Sequence, residues 1–194
     1  MSNSEKISDI IRASIAVKEQ LLSDQMIEKI DAVVSQIVTS YRQDGKVLFC
    51  GNGGSAADAQ HLAAEFSGRF YLDREPLFAE ALHVNTSYLT AVANDYSYDE
   101  IYARMTKAMG RQGDVFVGLS TSGNSTNVVR AIEEAKAKGM FVVGMTGEKG
   151  GKMASEVDVL INVPSNDTPR IQESHILIGH IICELVESIL FNPS

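Results

Sequence analysis

The chain is poor in basic residues: 17 lysines and arginines stand against 25 acidic residues, a formal charge of -8. Such a balance repels nucleic acid and anionic membranes at long range, so an anionic ligand has to be held by a local site. Long apolar runs are missing too. None approaches the ~18 uninterrupted residues that mark a membrane span, so no such span is expected. The start, Met1 to Glu5, lacks a basic stretch followed by an apolar one; this argues against export and makes the cytoplasm the expected compartment. Cysteine is scarce. Cys50 and Cys183 each sit inside an apolar run and read as buried thiols in a reducing compartment.

Glycine and proline are absent from the first 44 residues. Apolar residues there recur at helical spacing, as Ile7, Ile10, Ile11 and Ile15 with Ser14, and as Met26, Ile30, Val33, Val34, Ile37 and Val38. Ser23-Asp24 between the stripes supplies a turn and an N-cap. Residues 1–44 therefore read as a helical hairpin whose apolar faces must be covered by the core or by a second subunit. From 45 to 194 the texture changes. Short apolar runs at Val47–Cys50, Ala79–Leu82, Val115–Leu119, Phe141–Met145 and Val157–Val163 alternate with helical stretches at Ser55–Phe70, Tyr88–Ala93, Tyr98–Met109, Ser125–Lys138 and Lys149–Ala154. A last helix is expected from about Pro169 to Leu190. Alternating strands and helices mean βαβ units, hence a parallel sheet covered on both faces. One α/β domain with an N-terminal helical extension accounts for the whole chain.

Two loops have the composition of anion sites. Cys50-Gly51-Asn52-Gly53-Gly54-Ser55 follows a strand and opens a helix, where glycines allow close backbone approach and helix N–H groups point above the strand ends. Its spacing is not that of a dinucleotide fingerprint. Ser120-Thr121-Ser122-Gly123-Asn124-Ser125 has the same placement, with four hydroxyls in six residues. Hydroxyls and backbone N–H groups at a helix end can hold a phosphate dianion without any lysine. The plain alternative for each is a capping turn.

These two loops, with Asp58-Ala59-Gln60-His61-Leu62-Ala63-Ala64-Glu65, Arg170-Ile171-Gln172-Glu173-Ser174-His175 and His180, resemble the sugar isomerase (SIS) domain family and its phosphoheptose isomerase branch over nearly the whole chain. The resemblance implies a flavodoxin-like three-layer fold over a single SIS domain, 1–194. It implies an aldose–ketose isomerase that converts sedoheptulose 7-phosphate to D-glycero-D-manno-heptose 7-phosphate, the first step of nucleotide-heptose synthesis for lipopolysaccharide. It also implies a homotetramer and one zinc ion per subunit. Substrate contacts carried over by position fall on Asn52, Gly53, Gly54, Ser55, Glu65, Asn94, Asp95, Ser120, Thr121, Ser122, Ser125 and Gln172. The implied zinc ligands are His61, Glu65, Gln172 and His180, and the implied acid–base pair is Glu65 and His180. Some relatives carry an acidic residue just before the arginine, where this chain has Pro169, so no acid–base role is carried over there.

The chemistry suits these residue types. Isomerisation moves a proton between C1 and C2 and between their oxygens, tasks for a carboxylate and an imidazole. His61 and Glu65 stand four apart and share a helix face. Gln172, Glu173, His175 and His180 interrupt an otherwise apolar terminal helix, where polar groups must be paired or serve a site; for His175 the ordinary reading is a satisfied core histidine. Gln172 and His180 are eight residues apart, about 12 Å along a regular helix. Either Gln172 precedes the regular helix or the two reach one ion from different subunits, and the second is preferred. A metal-bound carboxylate is a poor base, so the two roles of Glu65 belong to different states. Two rival readings keep the fold without the chemistry: a phosphosugar sensor, or an adaptor that binds the replication initiator. Glu65 and His180 are the residues that separate enzyme from adaptor.

Overall fold

A computed structural model describes residues 1–192. Helices α1 (Asn3–Gln20) and α2 (Asp24–Arg42) precede β1 (Val47–Gly51), α3 (Gly54–Ser67), β2 (Ala79–Ala81) and α4 (Thr86–Asp95). A 3₁₀ turn at Tyr98–Glu100 leads into α5 (Ile101–Met109), followed by β3 (Val115–Leu119), α6 (Thr126–Ala137) and β4 (Phe141–Thr146). A second 3₁₀ turn (Gly151–Ser155), β5 (Val159–Asn162) and α7 (Thr168–Phe191) complete the fold. All strand pairs are parallel, in the order β2-β1-β3-β4-β5, which is the flavodoxin-like arrangement.

Strand residues alternate between two cores. Val47, Phe49, Val115, Val117, Val143 and Met145 face α2, α3 and α7. Leu48, Cys50, Phe116 and Val142 face α4, α5 and α6. Every residue of β1 and β3 is buried, as a sheet covered on both sides requires. The helix of β1–α3 and that of β3–α6 thus lie on opposite faces. The C-terminal ends of adjacent β1 and β3, where Gly51 pairs with Leu119, are the switch point of the sheet, the usual ligand crevice of such folds.

Several element boundaries shift for local reasons. The segment expected as one helix from Tyr98 begins as a 3₁₀ turn, and the Lys149–Ala154 helix is a 3₁₀ turn at Gly151–Ser155. Helix α4 starts earlier than expected because the Asn85 side chain accepts the Tyr88 N–H at 3.0 Å. Helix α2 buries its predicted stripe against the core, with Val33, Val34 and Ile37 each 1% exposed; each such side chain contributes about 1.5–3 kcal/mol. Helix α1 has no fully buried residue among the described ones, and of its apolar residues Val17 packs partly against the core. Ile7, Ile10, Ile11 and Ile15 remain exposed, and α1 is tied to α7 by polar contacts: Ser14 Oγ donates to Glu173 Oε2 (2.7 Å) and Arg170 to the Ile10 carbonyl (3.2 Å).

Helix α7 has the length and the mean hydropathy, 1.6 over its most apolar stretch, of a membrane span, although polar residues break its apolar runs. It packs against α1, α2 and α3. Ile171, Ile178, Ile182 and Val186 lie in the core, while Leu185 and Ile189 on another side of the helix are exposed.

Candidate active site

The hydroxyl loop closes on itself. Ser125 is the N-cap of α6 yet its side chain makes no capping bond; its Oγ lies 2.9 Å from Ser120 Oγ, with Ser122 Oγ 3.5 Å from Ser120 on the other side. A loop built only to cap α6 would turn that hydroxyl to the helix N–H groups. Instead hydroxyls cluster at the positive end of a helix, which is how a neutral donor set holds a dianion. Gly123 makes the turn possible, with φ of 66° and a missing Cβ that would sit 2.0 Å from the Gly150 carbonyl. Thr121, Ser122 and Asn124 line a cleft of about 260 Å³ together with Glu148, Lys149 and Thr168.

The glycine loop lies beside it. Gly53 has φ of 58° and opens α3. Ser55 is buried, and its N–H donates to the Asn52 carbonyl (3.1 Å). Asn52 exchanges amide hydrogen bonds with Asn127, at 2.9 and 3.0 Å, and accepts one from the Tyr98 hydroxyl (3.1 Å). The fully buried Tyr102 donates its hydroxyl to the Gly51 carbonyl. Asn127, Tyr98 and Tyr102 were not singled out in the sequence. Asn127 lies inside α6, and only its burial next to a hydroxyl loop could have signalled it.

Two turns further along α3 the chain assembles a second group. His61 Nε2 lies 3.1 Å from Glu65 Oε1 and 3.0 Å from His180 Nε2. One ligand atom from each of the three residues lies within 4.8 Å of the others. Two imidazole nitrogens and a carboxylate oxygen face one another at these distances, and each can offer a lone pair to a shared cation. This donor set fits a borderline cation with three protein ligands and an open position, the usual form of a catalytic zinc site.

Helices α3 and α7 run side by side in the same direction, since Gly54 meets Gln172, Leu62 meets Gly179 and His61 meets His180. The lack of a side chain at Gly179 permits the approach; a Cβ there would lie 2.5 Å from Leu62. Gln172 is thus inside the regular helix, at the level of the glycine loop. That removes the route in which it precedes the helix, and within one chain Gln172 stands apart from the His61–Glu65–His180 group.

Asn94 and Asp95 are exposed at the end of α4, where Asn94 Nδ2 donates to Asp95 Oδ1 (2.9 Å). His175 is a core histidine: fully buried, its Nε2 donates to the Thr146 carbonyl at 3.1 Å. Burial pushes its pKa down to about 4, against the opposing effect of that hydrogen bond. A second feature missed in the sequence braces Glu65. The buried Glu187 accepts N–H bonds from Phe70, Tyr71 and Leu72 and pairs with Arg74 at 2.9 Å, while Arg74 donates to the Glu65 carbonyl at 3.0 Å.

A parallel sheet with a glycine loop and a hydroxyl loop at its switch point defines an α/β domain of the doubly wound class, with its ligand crevice at these strand ends. Comparison with known proteins narrows the class. Residues 11–147 match the SIS domain model. The phosphoheptose isomerase of Aneurinibacillus thermoaerophilus is 52% identical over 186 residues, covering 95% of this chain and 94% of that protein. That of Mycobacterium tuberculosis (strain ATCC 25177 / H37Ra) is 51% identical over 194 residues, covering 100% and 99%. The solved phosphoheptose isomerase of Neisseria gonorrhoeae superposes with a TM-score of 0.91 at 43% identity, over 96% of this chain and all of that one. The chain belongs to the SIS domain family and, within it, to the phosphoheptose isomerases.

Proposed function

We propose that this chain isomerises sedoheptulose 7-phosphate to D-glycero-D-manno-heptose 7-phosphate. The observation that carries the reading is the placement of Glu65, His61 and His180 on one patch, with His61 about two helical turns along α3 from the glycine loop. His61 follows Gly54 by seven residues, about 10 Å along α3. A linear heptose with its phosphate at one end and its carbonyl at the other is a ligand that spans such a separation.

In this reading the hydroxyls of Ser120, Thr121, Ser122 and Ser125 and the N–H groups at the start of α6 hold the phosphate. The Asn52–Ser55 turn, Asn94, Asp95 and Gln172 orient the sugar hydroxyls. Glu65 takes the carbon-bound proton and returns it to the neighbouring carbon, while His180 serves the oxygens. His61, Glu65 and His180 would hold one zinc ion, with Gln172 of a neighbouring subunit as a further ligand. When bound, such an ion acts as a Lewis acid on a carbonyl oxygen. A carboxylate bound to such an ion would be a poorer base, so the ligand and base roles of Glu65 would belong to different states.

The exposed isoleucines of α1 support assembly. A contiguous apolar face of this kind marks a protein–protein interface, and a homotetramer through the hairpin 1–44 is the expected form. Family membership supports a cytoplasmic enzyme at the first step of nucleotide-heptose synthesis, with lipopolysaccharide or a related glycoconjugate as destination. The adaptor and sensor readings lose ground because both Glu65 and His180 are present and meet.

The test is turnover of sedoheptulose 7-phosphate with the product identified by NMR. Glu65→Gln and His180→Ala are each expected to lower kcat by about 10²–10⁴-fold. Full activity in both variants would end the assignment of these roles, and wild-type protein inert toward this substrate would end the function itself.

A further inference from the structure

Three segments assigned to the substrate come from separate connections: Asn52–Ser55 after β1, Asn94–Asp95 at the end of α4, and Ser120–Ser125 after β3. The β1–β3 pairing, with Gly51 opposite Leu119, sets where the first and the last of these begin, but it leaves open how their side chains meet and where the Asn94–Asp95 segment lies. Two are tied at a single polar point, and the chain that leads out of the third supplies its last bond. Asn52 Nδ2 donates to Asn127 Oδ1 (2.9 Å) and Asn127 Nδ2 donates back to Asn52 Oδ1 (3.0 Å). Asn127 Oδ1 also accepts the Val128 N–H (3.0 Å), and Tyr98, three residues beyond Asp95, donates its hydroxyl to Asn52 Oδ1 (3.1 Å). The Val128 N–H can only donate, which fixes the orientation of the Asn127 amide and, through the reciprocal pair, that of Asn52.

This arrangement uses up most of Asn52. Both lone pairs of Oδ1 are taken and one of its two amide protons is spent, so its side chain cannot accept from a sugar hydroxyl. The chemistry of position 127 points the same way. It lies in the first turn of α6, where a carboxylate would suit the helix dipole at least as well. A carboxylate has no proton to give Asn52, so the amide serves the pair and not the helix.

We propose that Asn127 and Tyr98 are positioning residues that act through Asn52, clamping the glycine loop to the hydroxyl loop and to the Asn94–Asp95 segment at the spacing the phosphosugar needs. The Asn52 side chain is then part of the clamp, and its loop meets the ligand through backbone groups and one remaining N–H. This rests on the isomerase reading and deepens it. The clamp lies at the start of α3, about two turns before His61 and about three before Glu65. It governs anchoring, which serves ground state and transition state alike, and leaves the proton transfer alone. Loss of such uniform binding raises KM and spares kcat.

The experiment uses the full-length protein with Tyr98→Phe, Asn127→Ala and the double substitution, read by steady-state kinetics on sedoheptulose 7-phosphate and by calorimetric titration with inorganic phosphate. Tyr98 is 51% exposed, so its variant keeps the fold and secures the test should Asn127→Ala unfold. Each single change is expected to raise KM by about 3–30-fold with kcat within about 2-fold. The double variant is expected to be no worse than Asn127→Ala, because groups that act through one partner do not add. Phosphate affinity should fall in the same less-than-multiplicative way. Unchanged KM and phosphate affinity in Tyr98→Phe, effects that multiply, or losses confined to kcat overturn the clamp. Should the wild type bind phosphate without turning over the sugar, the isomerase reading fails and the phosphate titration still decides the clamp.

Discussion

Gln172 packs its side-chain amide against Gly54: a Cβ added at Gly54 would lie 2.5 Å from Gln172 Nε2. The contact seats an α7 side chain directly over the glycine loop and keeps it two turns away from His180. Gly54→Ala is therefore expected to displace Gln172 while leaving the fold intact, since alanine in a helix is favoured over glycine by about 0.5–1 kcal/mol. Kinetics should show kcat/KM reduced by about 10–100-fold, the scale of a small misplacement in a site, with no fall in melting temperature. Unaltered kinetics would show that Gln172 has no part in catalysis.

The His61–Glu65–His180 group should bind metal in the isolated protein. Metal analysis after dialysis against zinc is expected to give one ion per chain for the wild type and markedly less for His61→Ala. A chelator should lower turnover, with recovery on adding zinc. Equal zinc content in both proteins would remove His61 from the ligand set.

Glu187 and Arg74 form a buried ion pair, each side chain 3% exposed. Removing one partner of such a pair costs about 3–5 kcal/mol, so Glu187→Ala should unfold at lower urea by that amount. Burial raises the Glu187 carboxyl pKa, but the N–H bonds from Leu72, Phe70 and Tyr71 and the Arg74 contact outweigh it and hold it below the ordinary value. A depressed folded-state pKa means the stabilisation is complete above the unfolded value, ~4.3 for glutamate. It fades as pH falls through the folded value. Urea unfolding followed from pH 7 down into that range should show a loss in the wild type that is smaller in Glu187→Gln.

Helix α1 offers a test of assembly that spares the chain's own core. Because α1 buries no residue in the single chain, Ile11→Glu with Ile15→Glu should leave circular dichroism unchanged. The mass by analytical ultracentrifugation is expected to fall below that of the wild type. A mass equal to the wild type's would take the isoleucine face out of the interface.

Much of this architecture was readable in advance because its signals are local. Val115–Leu119 is a run of apolar residues bounded by turn formers, and it is β3 to the residue. The stripe from Met26 to Val38 lies buried as its spacing required. Both donor loops declare themselves by glycine or hydroxyl content between a strand and a helix. What failed were ends set by side chains reaching back to the backbone, such as the Asn85 cap of α4. Position 127 escaped notice because its role depends on a partner 75 residues away.

By itself the sequence determined that His61 and Glu65 share a face, since a four-residue spacing on a helix leaves no other outcome. Spacing alone could not say which polar residue of the last helix joins them; it was the family resemblance that pointed to His180. Gln172, His175 and His180 were all available, and the choice was made by the register in which α7 slides along α3. In that register Leu62 lies over Gly179 and Gln172 over Gly54, contacts between residues far apart in the chain. The tertiary structure thereby sent His175 into the core, Gln172 to the glycine loop and His180 to His61. Spacing along one helix is covalent and local, whereas the alignment of two helices depends on packing that exists only once the chain has folded.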